Sequence, residues 1–114
     1  MTIKSSVLTA LTTVLANTWA TELPPDPTWP AFVFDIESRP EDTWVAGGGY
    51  DQHTVTVVIF SRTLAEIPAY QTAIDAAMGA VTGYMVDEDR GDAAYEPDPS
   101  IYGFFSQHVI RTRR

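Results

Sequence analysis

Catalysis by a serine needs a base beside it and an acid to orient that base, and this chain has only His53 and His108 to act as the base. Both lie inside strand-like runs and no Gly-x-Ser-x-Gly elbow occurs, so a triad is not expected. Both histidines meeting Asp51 in one cleft would favour an enzyme, and histidines facing apart would end the enzyme reading. The lack of cysteine removes disulfides, thiolate nucleophiles and Cys-ligated zinc. Gly47, Gly48 and Gly49 could cradle a phosphate, but no Gly-Lys-Ser/Thr follows, and the run separates two strand-like segments instead of opening a helix. It reads as a hairpin tip.

Carboxylates are the remaining chemistry. Asp87, Glu88, Asp89, Asp92 and Asp98 offer hard oxygen ligands, which suit calcium. An EF-hand loop, however, needs a ligand where Gly91 stands and a glycine where Asp92 stands, so the run reads as a solvated acidic turn. Asp51 with His53 makes two transition-metal ligands, too few for a site. Asp35 with Glu37 could mimic a glycosidase pair, but a chain with 15 acids supplies such pairs by chance. The Arg90-Gly91-Asp92 string is equally short. The expectation is a protein that is not an enzyme and uses no cofactor and no metal.

The elements that must position these residues follow from hydrophobic periodicity. Ile3, Val7, Leu8, Leu11, Val14, Leu15 and Trp19 recur at helical spacing, which predicts a helix from about Ile3 to Asn17. Pro24, Pro25, Asp26, Pro27 and Pro30 then impose an extended linker. Ala31 to Glu37 alternates, with Phe32, Phe34 and Ile36 on one face, and reads as a strand. Ser38 to Asp51, with Pro40 and three glycines, reads as a long connection. Gln52 to Arg62 is dense in β-branched residues and should be the central strand. Thr63 with Glu66 has the form of a capping box, and a second helix runs from near Ile67, with Pro68 in its first turn, to about Ala80. The last third gives two or three strands around the turn from Asp87 to Asp92. In the final one Tyr102, Phe104, Ser106, His108 and Ile110 share a face. This is one α+β domain over residues 1–114, with an antiparallel or mixed sheet of four to five strands and two helices packed on one face.

Composition narrows the function. With 45% hydrophobic and 19% charged residues, the 114-residue chain can build a core. Its net charge of −8 repels a phosphate backbone, so a nucleic-acid role would rest on Arg111, Arg113 and Arg114 alone. No apolar run approaches the roughly 20 residues of a membrane span, and the N-terminal stretch reads as a helix instead of a signal peptide. The expected work is protein contact. The candidate surfaces are the loop around Trp44 and Val45 up to Tyr50, the acidic stretch with Asp87, Glu88 and Asp89, and the arginine end with Arg111, Arg113 and Arg114.

The order of parts resembles the tail-terminator or tail-completion proteins of long-tailed bacteriophages and their prophage relatives. The resemblance is carried by the amphipathic helix with Leu8, Leu11 and Leu15, by the run WPAFVFDIE from Trp29 to Glu37, and by HTVTVVIFSR from His53 to Arg62 before the helix EIPAYQTAIDAAM. The last strand, Ile101 to Thr112, closes it with an arginine-rich end. The resemblance implies a virion subunit at the head-proximal end of the tail, present in the host cytoplasm during assembly. It further implies a ring of six copies that contacts itself, the tail-tube protein and the head-tail connector, with DNA only as passing cargo and no membrane partner. The rival readings are a neck or head-completion subunit of the same virion, a small enzyme or ligand-binding domain, and an adaptor or toxin-system partner.

Overall fold

The computed structural model describes residues 2–41 and 49–113. Helix α1 spans Ile3–Val14 and opens on Thr2, whose hydroxyl accepts the Ser5 N–H at 3.2 Å and so satisfies one of the orphan donors of the first turn. Val7 and Leu11, one turn apart, are fully buried, while Leu8 beside them is exposed. The helix stops short of the expected Asn17. There the Asn17 side-chain amide donates to the carbonyls of Thr28 at 2.8 Å and Pro30 at 2.9 Å, and the Asn17 backbone carbonyl accepts the Phe32 N–H at 3.0 Å. These bonds hold the chain extended, and Thr18–Ala20 becomes a short strand, β1, that periodicity had assigned to helix and linker. Trp19, expected on the helix stripe, therefore lies on β1 and is 40% exposed.

β2 (Ala31–Glu41) and β3 (Tyr50–Ser61) pair antiparallel along their full length, so the hairpin is longer, and its connection shorter, than the Pro and Gly content implied. Helix α2 spans Ile67–Gly79, with Pro68 in its first turn, where a missing N–H costs nothing. The capping box does not form: the Thr63 side chain makes no cap bond, and Glu66 Oε2 instead accepts the Ser61 hydroxyl at 2.7 Å.

β4 (Tyr84–Ala94) and β5 (Tyr102–Arg113) complete a five-stranded sheet in the order β1-β2-β3-β5-β4. The pairing of β1 with β2 is parallel and the rest is antiparallel, so the sheet is mixed and β3 is central, as expected. The stretch Asp87 to Asp92 is strand, not turn. On an edge strand the backbone can pair with β5 while acidic side chains stay in water, and β4 takes two register shifts against β5, between Tyr84 and Val86 and between Asp87 and Arg90.

Both helices pack on one face. Val7, Leu11, Ile67, Ile74 and Met78 meet Phe32, Phe34, Val55, Val57, Ile59 and Ile110 in one core. Burying each of the two phenylalanines stabilises the fold by roughly 2–3 kcal/mol before packing losses are counted. Among the described residues no helix is long and apolar enough to cross a membrane.

Candidate functional site

The strand registers set the site. On the helix-covered face, Ile36, Val55, His108 and Asp87 lie in one row across four strands, with Phe34, Val57, Ser106 and Arg90 in the next. The core that is apolar on β2 and β3 thus turns polar toward the β4 edge. The extra residue between Asp87 and Arg90 is what keeps both on this face, because a regular strand would send one of them to the other side.

The groups close into one network. The Ser106 hydroxyl lies 2.9 Å from Nε2 of His108, and Nδ1 of His108 lies 3.0 Å from Oδ1 of Asp87. Tyr84 donates its hydroxyl to the same Asp87 oxygen. A neutral imidazole satisfies all of this only with the proton on Nδ1, donating to Asp87, and with Nε2 accepting from Ser106. Arg90 bridges Asp87 at 3.0 Å and Asp75 of α2 at 3.2 Å, and Gln71 Nε2 donates to Asp75 at 2.9 Å. Gln71 Oε1 is buried without a hydrogen-bond partner.

Ionisation follows the environment. Burial pushes the His108 imidazole below its usual value, against the opposing pull of the Asp87 carboxylate. Partial burial raises the Asp87 carboxyl, but the bonds from Tyr84 and His108 and the charges beside it outweigh that and hold it below its usual value. Tyr84 is pushed up to about 12 by burial, then by its bond to Asp87 and the negative charge of Asp87 and Asp75. The bond to Asp75 raises Arg90.

In outline this is serine, imidazole and carboxylate in a line, the order of a nucleophilic triad, which was not expected from the spacing of these residues. Its accessibility differs from that of a catalytic site. Ser106 and His108 have no exposed surface, so a substrate carbonyl has no path to the hydroxyl oxygen. Ligand atoms of Asp75, Asp87 and His108 also lie within 4.8 Å of one another. Arg90 already bridges the two carboxylates and His108 is bonded to Asp87, so a cation among them would compete with both contacts. The arrangement acts as a clamp between α2 and the edge of the sheet.

The other predicted residues lie elsewhere. His53 shares the helix-covered face but has separate partners: Ser38 Oγ lies 2.6 Å from its Nδ1 and Thr112 Oγ1 lies 2.8 Å from its Nε2. The two histidines thus neither face apart nor join in one constellation. Asp87 turns inward, whereas Glu88, Asp89 and Asp92 are exposed along β4. Arg111 and Arg113 stack on the ring of Tyr50, at 5.6 Å and 6.0 Å from its centre. Trp44, Val45 and Arg114 lie outside the described residues. Sequence reasoning missed Tyr84, Asp75, Arg90 and Gln71. Only Gln71 left a signal, as a polar residue at the buried i+4 position between Ile67 and Ile74.

The face away from the helices is lined by β-branched and aromatic side chains. Val33, Val58, Phe105 and Gly91 form one row. Trp29, Phe60 and Tyr95 meet edge to face at 4.9–6.0 Å over the next. Toward the edges of the sheet Trp19 and Val86 are 40% and 53% exposed. β1 covers β2 only from Phe32 to Phe34, and the next outward N–H, that of Ile36, is taken by the Asp35 carboxylate at 3.0 Å.

No known protein family and no curated protein matches this chain. Among solved structures it is similar to a chain in "Virion of native gene transfer agent (GTA) particle". That similarity has a TM-score of 0.68 at 11% identity and covers 98% of this chain and 95% of the other, a likeness of fold over nearly the whole of both.

Proposed function

We propose that this chain is a structural subunit of a phage-like virion, and within it the tail terminator, which ends tail-tube polymerisation and joins the tail to the head-side connector as a ring of six copies. The observation that carries this reading is the fold likeness to a chain of a virion particle, end to end in both proteins. The order of elements supports the finer assignment, because apart from the short β1 it is the order on which the terminator resemblance rests.

The surfaces are consistent with assembly. A ring subunit must bury two different sides against its neighbours, and this chain offers a sheet face with no helix on it and an uncovered β2 edge beyond Phe34. In this reading the polar network of Ser106, His108, Asp87 and Arg90 performs no chemistry. It holds the β4 edge against α2 so that the contact surface keeps its shape.

Gold-labelled antibody against this chain, applied to the particles that carry it, tests the assignment. Label at the head-proximal end of the tail is the expected result, together with rings in negative stain and a matching mass by light scattering. Label at the portal side of the neck would move the chain to the rival reading, a neck or head-completion subunit. Particles that carry no label would overturn the virion reading altogether.

A further inference from the structure

The large apolar side chains left in water fall on two opposite flanks of the molecule. Among the described residues they are Leu8 and Trp19 on the side of α1 and β1, and Leu64, Met85, Val86 and Tyr102 on the side of α2 and β4. β1 and β4 are the first and last strands of the sheet, so the two sets cannot cover each other within one copy.

Trp19 is a fixed projection on the first flank. It is 40% exposed, yet its indole N–H donates to Asn17 Oδ1 at 2.6 Å, and the Asn17 amide is itself tied to the carbonyls of Thr28 and Pro30. An exposed tryptophan held in one orientation leaves little ordering to be done when a partner covers it, and tryptophan is the side chain that most often anchors a protein contact.

The second flank carries a cleft of about 510 Å³ at the end of the β4–β5 hairpin, lined by Leu64, Ala93, Ala94, Tyr95 and Tyr102. Leu64 is 61% and Tyr102 46% exposed, so this apolar lining is uncovered. Projection and cleft stand at nearly the same level of the sheet. Trp19, Val33, Val58, Phe105 and Gly91 form one row on the helix-free face, from one edge to the other. Ala93, two residues beyond Gly91 on the same face and about 7 Å along the strand, already lines the cleft.

We propose that Trp19 of one copy seats in the cleft between Leu64 and Tyr102 of a second copy of this chain. Because each copy carries the projection at one edge of its sheet and the cleft at the other, the association is head to tail and either closes a ring or propagates. The contact rests on the ring reading above and specifies which side chains meet. Burial of apolar surface drives it, not charge. Asp92 and Glu96 line the cleft with no cation among them, Glu22 is exposed three residues after Trp19, and each copy carries a net charge of −8. Salt therefore screens a repulsion between copies and strengthens the association.

Sedimentation velocity on wild type, on Trp19→Ala and on Leu64→Asp with Tyr102→Ser tests the contact. Each variant alone should associate at least about tenfold more weakly than wild type. A one-to-one mixture of the two keeps one intact contact, the tryptophan of one variant in the cleft of the other, so it should form a dimer and nothing larger, which also shows that both are folded. Wild-type association should rise with salt. If both variants assemble like wild type, the contact is overturned while the ring reading stands. If only Trp19→Ala is weakened, Trp19 seats elsewhere and the cleft assignment is overturned. A wild type that stays monomeric at high salt and high concentration also overturns the contact, whereas the ring reading falls only if the labelled particles show no ring.

Discussion

Asp87 Oδ1 lies 3.0 Å from Nδ1 of His108, the two residues facing each other across the pairing of the edge strand with its neighbour. That one contact joins the buried end of the polar network to its solvent end. His108 has no exposed surface, while Asp87 is partly exposed and shared with Tyr84 and Arg90. The groups facing His108 are Asp87, Tyr84 and Arg90 on β4, Ser106 on its own strand and Asp75 on α2, and together they decide what acid does to the fold.

Stability should fall as pH drops below about 6.5. The imidazole is depressed in the folded state, so between its folded value and the ordinary 6.5 the unfolded chain binds a proton that the folded chain refuses. Stability is therefore complete above 6.5 and is lost as pH falls through that window. Further loss follows below pH 3.8, where the depressed Asp87 carboxyl acts in the same sense. Thermal melts from pH 8 to pH 5 on wild type and His108→Gln check this. The variant should be less stable at pH 8 but change less with pH, and equal slopes in the two proteins would exclude His108 as the source.

Asp87→Asn should lower the His108 imidazole further, because the carboxylate is what opposes the effect of burial. The same substitution should bring Tyr84 down from about 12 toward its usual 10, since the bond to Asp87 and its charge hold it up together with burial. Imidazole proton shifts in an NMR titration and the ultraviolet titration of the tyrosines measure the two separately. A His108 midpoint that rises in Asp87→Asn would contradict the account of the network.

How far the sequence revealed this arrangement depends on the kind of order involved. The β-branched run Thr54 to Ile59 marked the central strand because period and composition agree there, and the shared face of Ser106 and His108 followed from the two-residue period. The partner of His108 did not follow. Asp87 reaches it only through register shifts in β4, and a bulge has no composition that separates it from an acidic turn. β1 was hidden for a related reason: its strand character comes from the Asn17 bonds to residues 28 and 30, which are not local. The stacking of Arg113 on Tyr50 required the register of β3 with β5, since the two residues are 63 positions apart in the sequence (113 − 50).

Two glycines should respond to the same substitution with opposite signs. Gly83 has φ +93°, and a Cβ there would lie 2.2 Å from the Arg111 carbonyl oxygen, beside the bond from the Arg111 N–H to Gly83 O. Gly83→Ala must strain the backbone and push β5 away, at a cost of at least about 1–3 kcal/mol. Gly79 ends α2, and a Cβ there meets nothing within 4 Å. Gly79→Ala should stabilise by up to about 1 kcal/mol through helix propensity and the unfolded state. Urea unfolding at pH 7.5 resolves both.

Packing in the core sets a third scale. Phe34 is 1% exposed in the core that α1, α2 and the sheet form together, and Phe34→Ala removes its ring from that core. Such a cavity can only partly collapse, and the expected loss is about 3–5 kcal/mol by urea unfolding. A loss under about 1 kcal/mol would mean that the helices close over the gap without the sheet holding them apart.

Ser106 separates a structural network from a catalytic one. A fluorophosphonate probe attacks any activated serine that it can reach, and this hydroxyl, though bonded to a histidine that is itself bonded to an aspartate, has no exposed surface. Folded protein should remain unlabelled over hours, as judged by intact mass. Ser106→Ala should still matter, because it strips His108 Nε2 of its donor where no water replaces it, at about 1–3 kcal/mol by urea unfolding. The tautomer cannot rescue the loss, since moving the proton to Nε2 would point the Nδ1 lone pair at the Asp87 carboxylate. Stoichiometric labelling of wild type, absent in Ser106→Ala, would show that α2 opens and that the line of three groups does chemistry after all.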